Sequence, residues 1–266
     1  MLFNYTEIHN GIMVKRPSRI CKSPYVADVL IHNIDIDSIC PQNTILCHSP
    51  SLGCNGLIDK NTNLLLTKIG ENNKCKYRIE FVMYDKLIIG TNPYLSNKIV
   101  FDMITENYFQ SQELYDFKYL KTEYKINNSR FDIYGEKNDK KYYIEIKTAP
   151  VKIENDIAVF PKGFRKSKNA TISERANKHL RELMELSVND NCYIIYHVPR
   201  NDCKYFTANF EDKEYSDLFK LAIKSNVKII AFSSYLDIES KCIKFDKFLK
   251  ILMPNNNYKQ KMIINL

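Results

Sequence analysis

Over the first 95 residues, short apolar runs recur at 12–14, 25–31, 44–47, 64–69, 77–84 and 87–89. Turn-forming groups at 41–43, 53–56, 70–73 and 90–93 separate them. Five or six short strands with no helical period predict a small β-barrel over 1–95. Near Ser96 the period changes. Ile99, Val100, Met103, Ile104 and Tyr108 fall at helical spacing, with Ser96 or Asn97 as N-cap. Residues 117–126 read as a strand. A hairpin over 129–147 follows, in which Phe131, Ile133, Tyr142, Ile144 and Ile146 alternate with polar residues. Thr171-Ile-Ser-Glu174 fits a capping box for a helix that buries Ala176, Leu180, Leu183, Met184 and Ser187. Arg175, Lys178, His179 and Glu182 are expected on the rest of its surface.

Residues 192–198, 215–224 and 227–232 then read as strand, helix and strand, a βαβ unit that implies a parallel pair. The fold class is therefore α/β in an α+β arrangement. A barrel (1–95) precedes a mixed β-sheet flanked by helices (96–235), and 236–266 form a C-terminal extension with one further strand at 241–245.

The hairpin carries the candidate chemistry. Asn138-Asp139 tolerates the backbone angles of a tight turn. Lys137 then faces Lys140, and Asp132 lies opposite Glu145, with Lys147 two places on. Facing side chains sit about 4.5–5.5 Å apart at Cβ, where like charges destabilise each other. Two carboxylates so placed call for a hard, oxygen-preferring cation such as Mg²⁺ or Mn²⁺. An ammonium beside that ion suits metal-assisted phosphodiester cleavage. The alternative is an exposed Glu–Lys surface pair, which contributes only about 0–1 kcal/mol. Asp102 and Glu106 share one face of the preceding helix, either as a third carboxylate or as a solvated pair, and Glu123 is a further acidic candidate.

Composition narrows the partners. The 266 residues are 44% hydrophobic with a formal charge of +8, which describes a folded protein suited to a polyanion. The eight cysteines form no CxxC pair, and no secretory signal precedes them, so reduced thiols in a cytosol-like compartment are expected. Cys47-His48 with Cys54 lacks a fourth ligand for zinc. No apolar run approaches the roughly 20 residues that cross a bilayer.

An oligonucleotide-binding (OB) type barrel is the preferred form for 1–95, because such barrels present a strand face to single strands. Lys15, Arg16 and Arg19, with Tyr25 close behind, are either a phosphate-tracking patch with a stacking ring or a solvated edge strand. The loop at 150–170 is basic through Lys152, Lys162, Arg165, Lys166 and Lys168. Arg175 and His179, one helical turn apart, could address a phosphate or merely face solvent.

Several pieces together resemble the sugar fermentation stimulation protein A (SfsA) family: Lys15-Arg16-Pro with Tyr25-Val-Ala-Asp28, His48-Ser-Pro50-Ser-Leu-Gly53, Ile89-Gly-Thr-Asn92 followed by Asn97, Ser129-Arg-Phe-Asp132, Tyr143-Ile-Glu145-Ile-Lys147, Phe160-Pro161, and Ser173-Glu174-Arg175-Ala-Asn-Lys178-His179-Leu180. The resemblance spans roughly 12–235. It implies an OB-like domain before a restriction-endonuclease-like domain of the PD-(D/E)xK type, with a DNA-binding or nuclease role. Asp132, Glu145 and Lys147 would be its D, E and K. Asp102 matches an acidic family position, and Arg130, Glu174, Arg175, Lys178 and His179 match positions near the site. Ser49 and Ser51 depart from the family's loop, Thr148-Ala-Pro150 departs after the lysine, and residues 162–169 lengthen the basic loop.

The expectation is a Mg²⁺/Mn²⁺-dependent nuclease acting on single- or double-stranded DNA, or on RNA. Asp132 and Glu145 would bind the metal with Asp102 and the Ile146 carbonyl, and Lys147 would orient the attacking water or stabilise developing charge. Arg175 and His179 would steady phosphates, and the barrel and basic loop would grip the strand. A DNA-binding regulatory protein with an inactive acidic core is the alternative, and a protein-interaction module has least support.

Overall fold

The computed structural model describes residues 1–31, 44–51, 57–70, 72–126, 129–163 and 171–254. The chain opens with a two-residue strand, β1 (Phe3–Asn4). The next six strands are β2 (His9–Lys15), β3 (Val26–Ile31), β4 (Ile45–His48), β5 (Asn63–Lys68), β6 (Tyr77–Tyr84) and β7 (Leu87–Gly90). They are ordered β4–β3–β2–β5–β6–β7. Strand β4 also pairs in parallel with β6, Cys47 with Tyr77 and His48 with Arg78, which closes five strands into a barrel. Met13, Val29, Leu64, Leu66, Ile79 and Val82 fill it. The expected barrel is present, with each expected run on a strand.

The remaining elements are α1 (Pro93–Thr105), β8 (Tyr119–Ile126), β9 (Ser129–Lys137), β10 (Lys140–Thr148), β11 (Lys152–Ile153), β12 (Ile157–Phe160), α2 (Glu174–Leu186), β13 (Asn191–Val198), β14 (Tyr205–Ala208), α3 (Lys213–Lys224), β15 (Lys228–Asp237), β16 (Cys242–Phe248) and β17 (Lys250–Ile251). A seven-stranded mixed sheet runs β1–β16–β15–β13–β10–β9–β8, with β10, β13 and β15 mutually parallel. Helix α1 packs Ile99, Val100 and Met103 on one face, against Ile144, Tyr193 and Ile195. Helices α2 and α3 cover the other, where Leu180, Leu183 and Phe219 meet Tyr143, Ile194 and Tyr196. Burying each such leucine contributes about 1.5–3 kcal/mol, so each helix is held mainly by its apolar stripe.

Several boundaries differ from the sequence reading. Helix α1 begins earlier than Ser96: Asn92 caps it by accepting the Tyr94 N–H at 3.1 Å, and Pro93 sits at its first position, where a missing N–H loses nothing. Ser96 is thereby freed to bond His197 Nδ1 (2.8 Å) and Thr148 Oγ1 (2.7 Å). Helix α2 is capped by Ser173, whose Oγ accepts the Ala176 N–H at 3.2 Å. Thr171 instead bonds Asp212, the N-cap of α3, tying the starts of the two helices together.

Residues placed in a C-terminal extension complete the sheets. Strand β16 pairs antiparallel with β15, and β17 joins a four-stranded sheet ordered β11–β12–β14–β17. Strand β1, expected with the barrel, pairs with β16. Two-residue strands carry too little periodicity to be read from sequence. Residues 255–266 lie outside the described residues.

Candidate active site

The site is built where the β9–β10 hairpin comes apart. Asn138 and Asp139 take φ of 52° and 56° in its turn, and the ladder runs from Lys140–Lys137 to Ile144–Ile133. That is the expected register. The ladder ends one residue short of Asp132. On the other side of β9, the pairing passes from Thr122–Ile133 to Tyr124–Phe131 without a Glu123–Asp132 pair, and Glu123 takes a φ of 56°. Asp132 therefore stands at an interruption in both ladders. Face alternation slips there as well. Phe131 packs beneath α2 and Ile133 beneath α1, although simple alternation would put both on one face. This corrects the regular strand expected from the sequence.

The opened backbone is satisfied by side chains. Asp132 Oδ2 accepts the Ile146 N–H at 2.7 Å, and Oδ1 accepts Asn97 Nδ2 of α1 at 2.9 Å. Asn97 is one of two helix-cap candidates in the sequence, with Ser96. It lies one turn into α1, and its reach to Asp132 is a tertiary contact that local spacing does not reveal.

Glu145 is 1% exposed. Its Oε1 is shared by Lys147 Nζ and His179 Nδ1, while Oε2 is buried with no hydrogen-bond partner among the described residues. Burial pushes the Glu145 carboxyl upward, but the Lys147 ammonium and then His179 outweigh it and hold it below its usual range. Burial and the Glu145 charge, only partly opposed by Lys147, Ile146 and Asn97, raise Asp132 to about 6. The paired carboxylates thus differ sharply in proton affinity, a feature common at functional sites.

These groups open onto a cleft of about 460 Å³ between the barrel and the seven-stranded sheet. Asp132, Glu145, Ile146 and Lys147 line it, as do Ser51 and Thr91 from the barrel side. Three expected phosphate-binding cations also reach it: Arg130, paired with Glu123 at 2.6 Å, Lys162, paired with Glu211 at 2.6 Å, and exposed Arg175.

Other expected residues lie elsewhere. Asp102 pairs with Lys98 at 2.7 Å on α1 and does not line the cleft, so the acidic pair receives Asn97 in place of a third carboxylate. Lys178 is exposed, 3.5 Å from Glu182 and away from the cleft lining. His179 is buried against Glu145 and does not face a phosphate, because position 179 shares the inward stripe with Ala176, Leu180 and Leu183. Lys15, Arg19 and Tyr25 are exposed on the barrel outside the cleft lining. Arg16 donates to Ser49 Oγ (2.9 Å) and to the Ser51 carbonyl (3.0 Å), which secures the barrel rim. Arg165 and Lys166, like Cys54, lie outside the described residues.

Among the described residues, no group of three or more His, Cys, Asp and Glu is arranged to hold a metal. A hard divalent cation needs less. Mg²⁺ keeps several waters and is commonly held by one or two carboxylates. An orphaned buried carboxylate oxygen costs roughly 1–3 kcal/mol or more, which a cation would offset. The Glu145 Oε2 atom beside Asp132 therefore fits such an ion.

Residues 94–240, over half of the chain, match the family described as sugar fermentation stimulation protein RE domain. A sugar fermentation stimulation protein homolog of Desulfitobacterium hafniense is 28% identical over 231 residues, covering 85% of this chain and 89% of the relative. One from Clostridium beijerinckii is 29% identical over 240 residues, covering 89% and 94%. The solved structure of Pyrococcus furiosus SfsA in complex with Ca²⁺ superposes with a TM-score of 0.78 at 18% identity, covering 94% of this chain and 98% of that one. It shares the fold. With the family match over 94–240 and relatives aligned along most of their length, the chain belongs to the sugar fermentation stimulation protein (SfsA) family.

Proposed function

We propose that this protein hydrolyses phosphodiester bonds of DNA or RNA with the help of Mg²⁺ or Mn²⁺. The observation that carries the reading is the buried Glu145, with its Oε2 orphaned, beside the half-buried Asp132 and Lys147 at a cleft lined by cations. Asp132, Glu145 and the Ile146 carbonyl would hold the ion. When bound, it supplies Lewis-acid polarisation of a phosphodiester oxygen.

The chain's own groups supply the rest. Lys147, paired with Glu145, would orient the attacking water or stabilise the charge that develops on the phosphate oxygens. His179 and Asn97 fix the orientations of Glu145 and Asp132. Arg130, Lys162 and Arg175 hold phosphates along the cleft. That the Pyrococcus relative is described with Ca²⁺, another oxygen-preferring cation, supports the choice of ion.

A second reading is a DNA-binding regulatory protein without catalysis. It is favoured by Glu145 Oε1 already having two partners, which satisfy that oxygen without a metal. Cleavage assays on single- and double-stranded DNA and on RNA, with Mg²⁺, Mn²⁺ or EDTA, separate the two. Metal-dependent products from wild type but not from Glu145→Ala support the nuclease. Salt-sensitive binding without products supports the regulator.

A further inference from the structure

Beside its charged floor the cleft carries an apolar side that phosphate chemistry does not use. Pro93, Tyr94, Pro150, Val151, Val159 and Phe160 line it. Phe160 is fixed edge-on to Tyr215 at 5.4 Å, so its ring belongs largely to the core. Tyr94 is different. Its backbone is pinned in the first turn of α1 by the Asn92 cap, yet 67% of the residue is exposed and its ring meets no other ring among the described residues. A large ring held out at the mouth of a charged cleft has a clear use in nucleic-acid recognition, as a platform for a base.

A duplex keeps its bases stacked and offers only their edges in the grooves. An apolar slot beside the carboxylates then finds no base face to cover, unless a base has left the stack. The volume of about 460 Å³ also lies within the range of pockets that enclose one small ligand.

We infer that the cleft binds a nucleic-acid strand with an unstacked base, a single-stranded segment whose base lies on Tyr94 while Arg130, Lys162 and Arg175 hold its phosphates. The inference rests on the phosphodiester chemistry proposed for this cleft and narrows its substrate to single strands. Stacking tolerates any base, so the recognition is of strand form rather than of sequence.

The test is binding without cleavage. Labelled single-stranded DNA, single-stranded RNA and blunt duplex DNA of equal length are titrated against the whole protein in EDTA, read by fluorescence anisotropy. Single strands of one or both sugars should bind about tenfold or more tighter than duplex. Tyr94→Ala should weaken them roughly 5- to 150-fold, the span of one base–aromatic stack, and Tyr94→Phe should not. Tyr119→Ala, exposed on β8 outside the cleft, should have no effect and controls for general loss of surface.

Because the chain has no tryptophan, Tyr94→Trp adds a single reporter whose emission a stacked base should quench. Duplex bound as tightly as single strands, or an inert Tyr94 with an unquenched reporter, overturns the inference and leaves the nuclease reading standing. Tight single-strand binding with no cleavage on adding Mg²⁺ or Mn²⁺ does the reverse. Failure to bind any nucleic acid removes both.

Discussion

The Asp132 carboxylate takes the Ile146 N–H, so a side chain occupies the place where a strand carbonyl would continue the β9–β10 ladder. One group thus satisfies the backbone and faces the cleft. The two roles separate by substitution. Asp132→Asn keeps an oxygen for Ile146, and the Asn97 amide can turn to match it, so stability should stay within about 1 kcal/mol of wild type. Asp132→Ala orphans a buried N–H and should lose about 1–3 kcal/mol in urea unfolding. Both should abolish metal-dependent cleavage.

Glu145 should be the residue through which a divalent ion stabilises the fold. Mg²⁺ or Mn²⁺ at about 100 times its dissociation constant should raise wild-type stability by about 2.7 kcal/mol and leave Glu145→Ala unmoved. Thermal denaturation with and without metal reads this directly, whether or not the protein cleaves anything. Equal shifts in both proteins would place the ion elsewhere. Cleavage by Glu145→Ala should fall on the order of 10²-fold or more.

His197 is buried between Ser96 Oγ (2.8 Å) and Ser234 Oγ (2.7 Å) and stacks on Phe232. Burial pushes its imidazole from the ordinary 6.5 down to about 3. Between those values the unfolded chain holds a proton that the folded one does not. The contribution of neutral His197 is therefore full above pH 6.5 and is lost progressively as pH falls toward 3, on the order of 5 kcal/mol in total. Urea midpoints across this range should drop steeply in wild type and less steeply in His197→Asn.

Gly90 joins the barrel to the sheet domain at close quarters. Its N–H donates to the Pro199 carbonyl at 2.8 Å, and a Cβ there would stand 2.7 Å from Pro199 Cβ. Gly90→Ala should destabilise by about 1–3 kcal/mol, as overpacking does. Measured by urea unfolding, a neutral result would mean that β7 shifts freely against Pro199, just past the end of β13.

How much of this could be read from the residues depended on range. The hairpin register followed from Asn138-Asp139, because a tight turn fixes every later pair. The barrel strands followed from alternation and turn residues. The slip at Asp132 did not, since Phe131 and Ile133 look alike in sequence and only the α1 and α2 clusters separate them. His179 looked like a polar residue on a basic helix. Its burial depends on Glu145, 34 positions away. Strand pairings made by two residues, such as β1 with β16, carry no local pattern at all.

The placement of β1 makes the barrel an insertion. The chain lays Phe3 and Asn4 on β16, leaves to build the barrel, and returns through α1 to finish the same sheet. Tyr5 and Asn92, near the outgoing and returning crossings, both reach Glu80 on β6. A fragment begun at α1 would lose the covering strand and leave β16 as a bare edge, open to pairing with another chain. The barrel is anchored at both ends, so expression of the sheet portion alone should give self-associating material, and the proposed strand binding and cleavage are better separated by point substitution than by truncation.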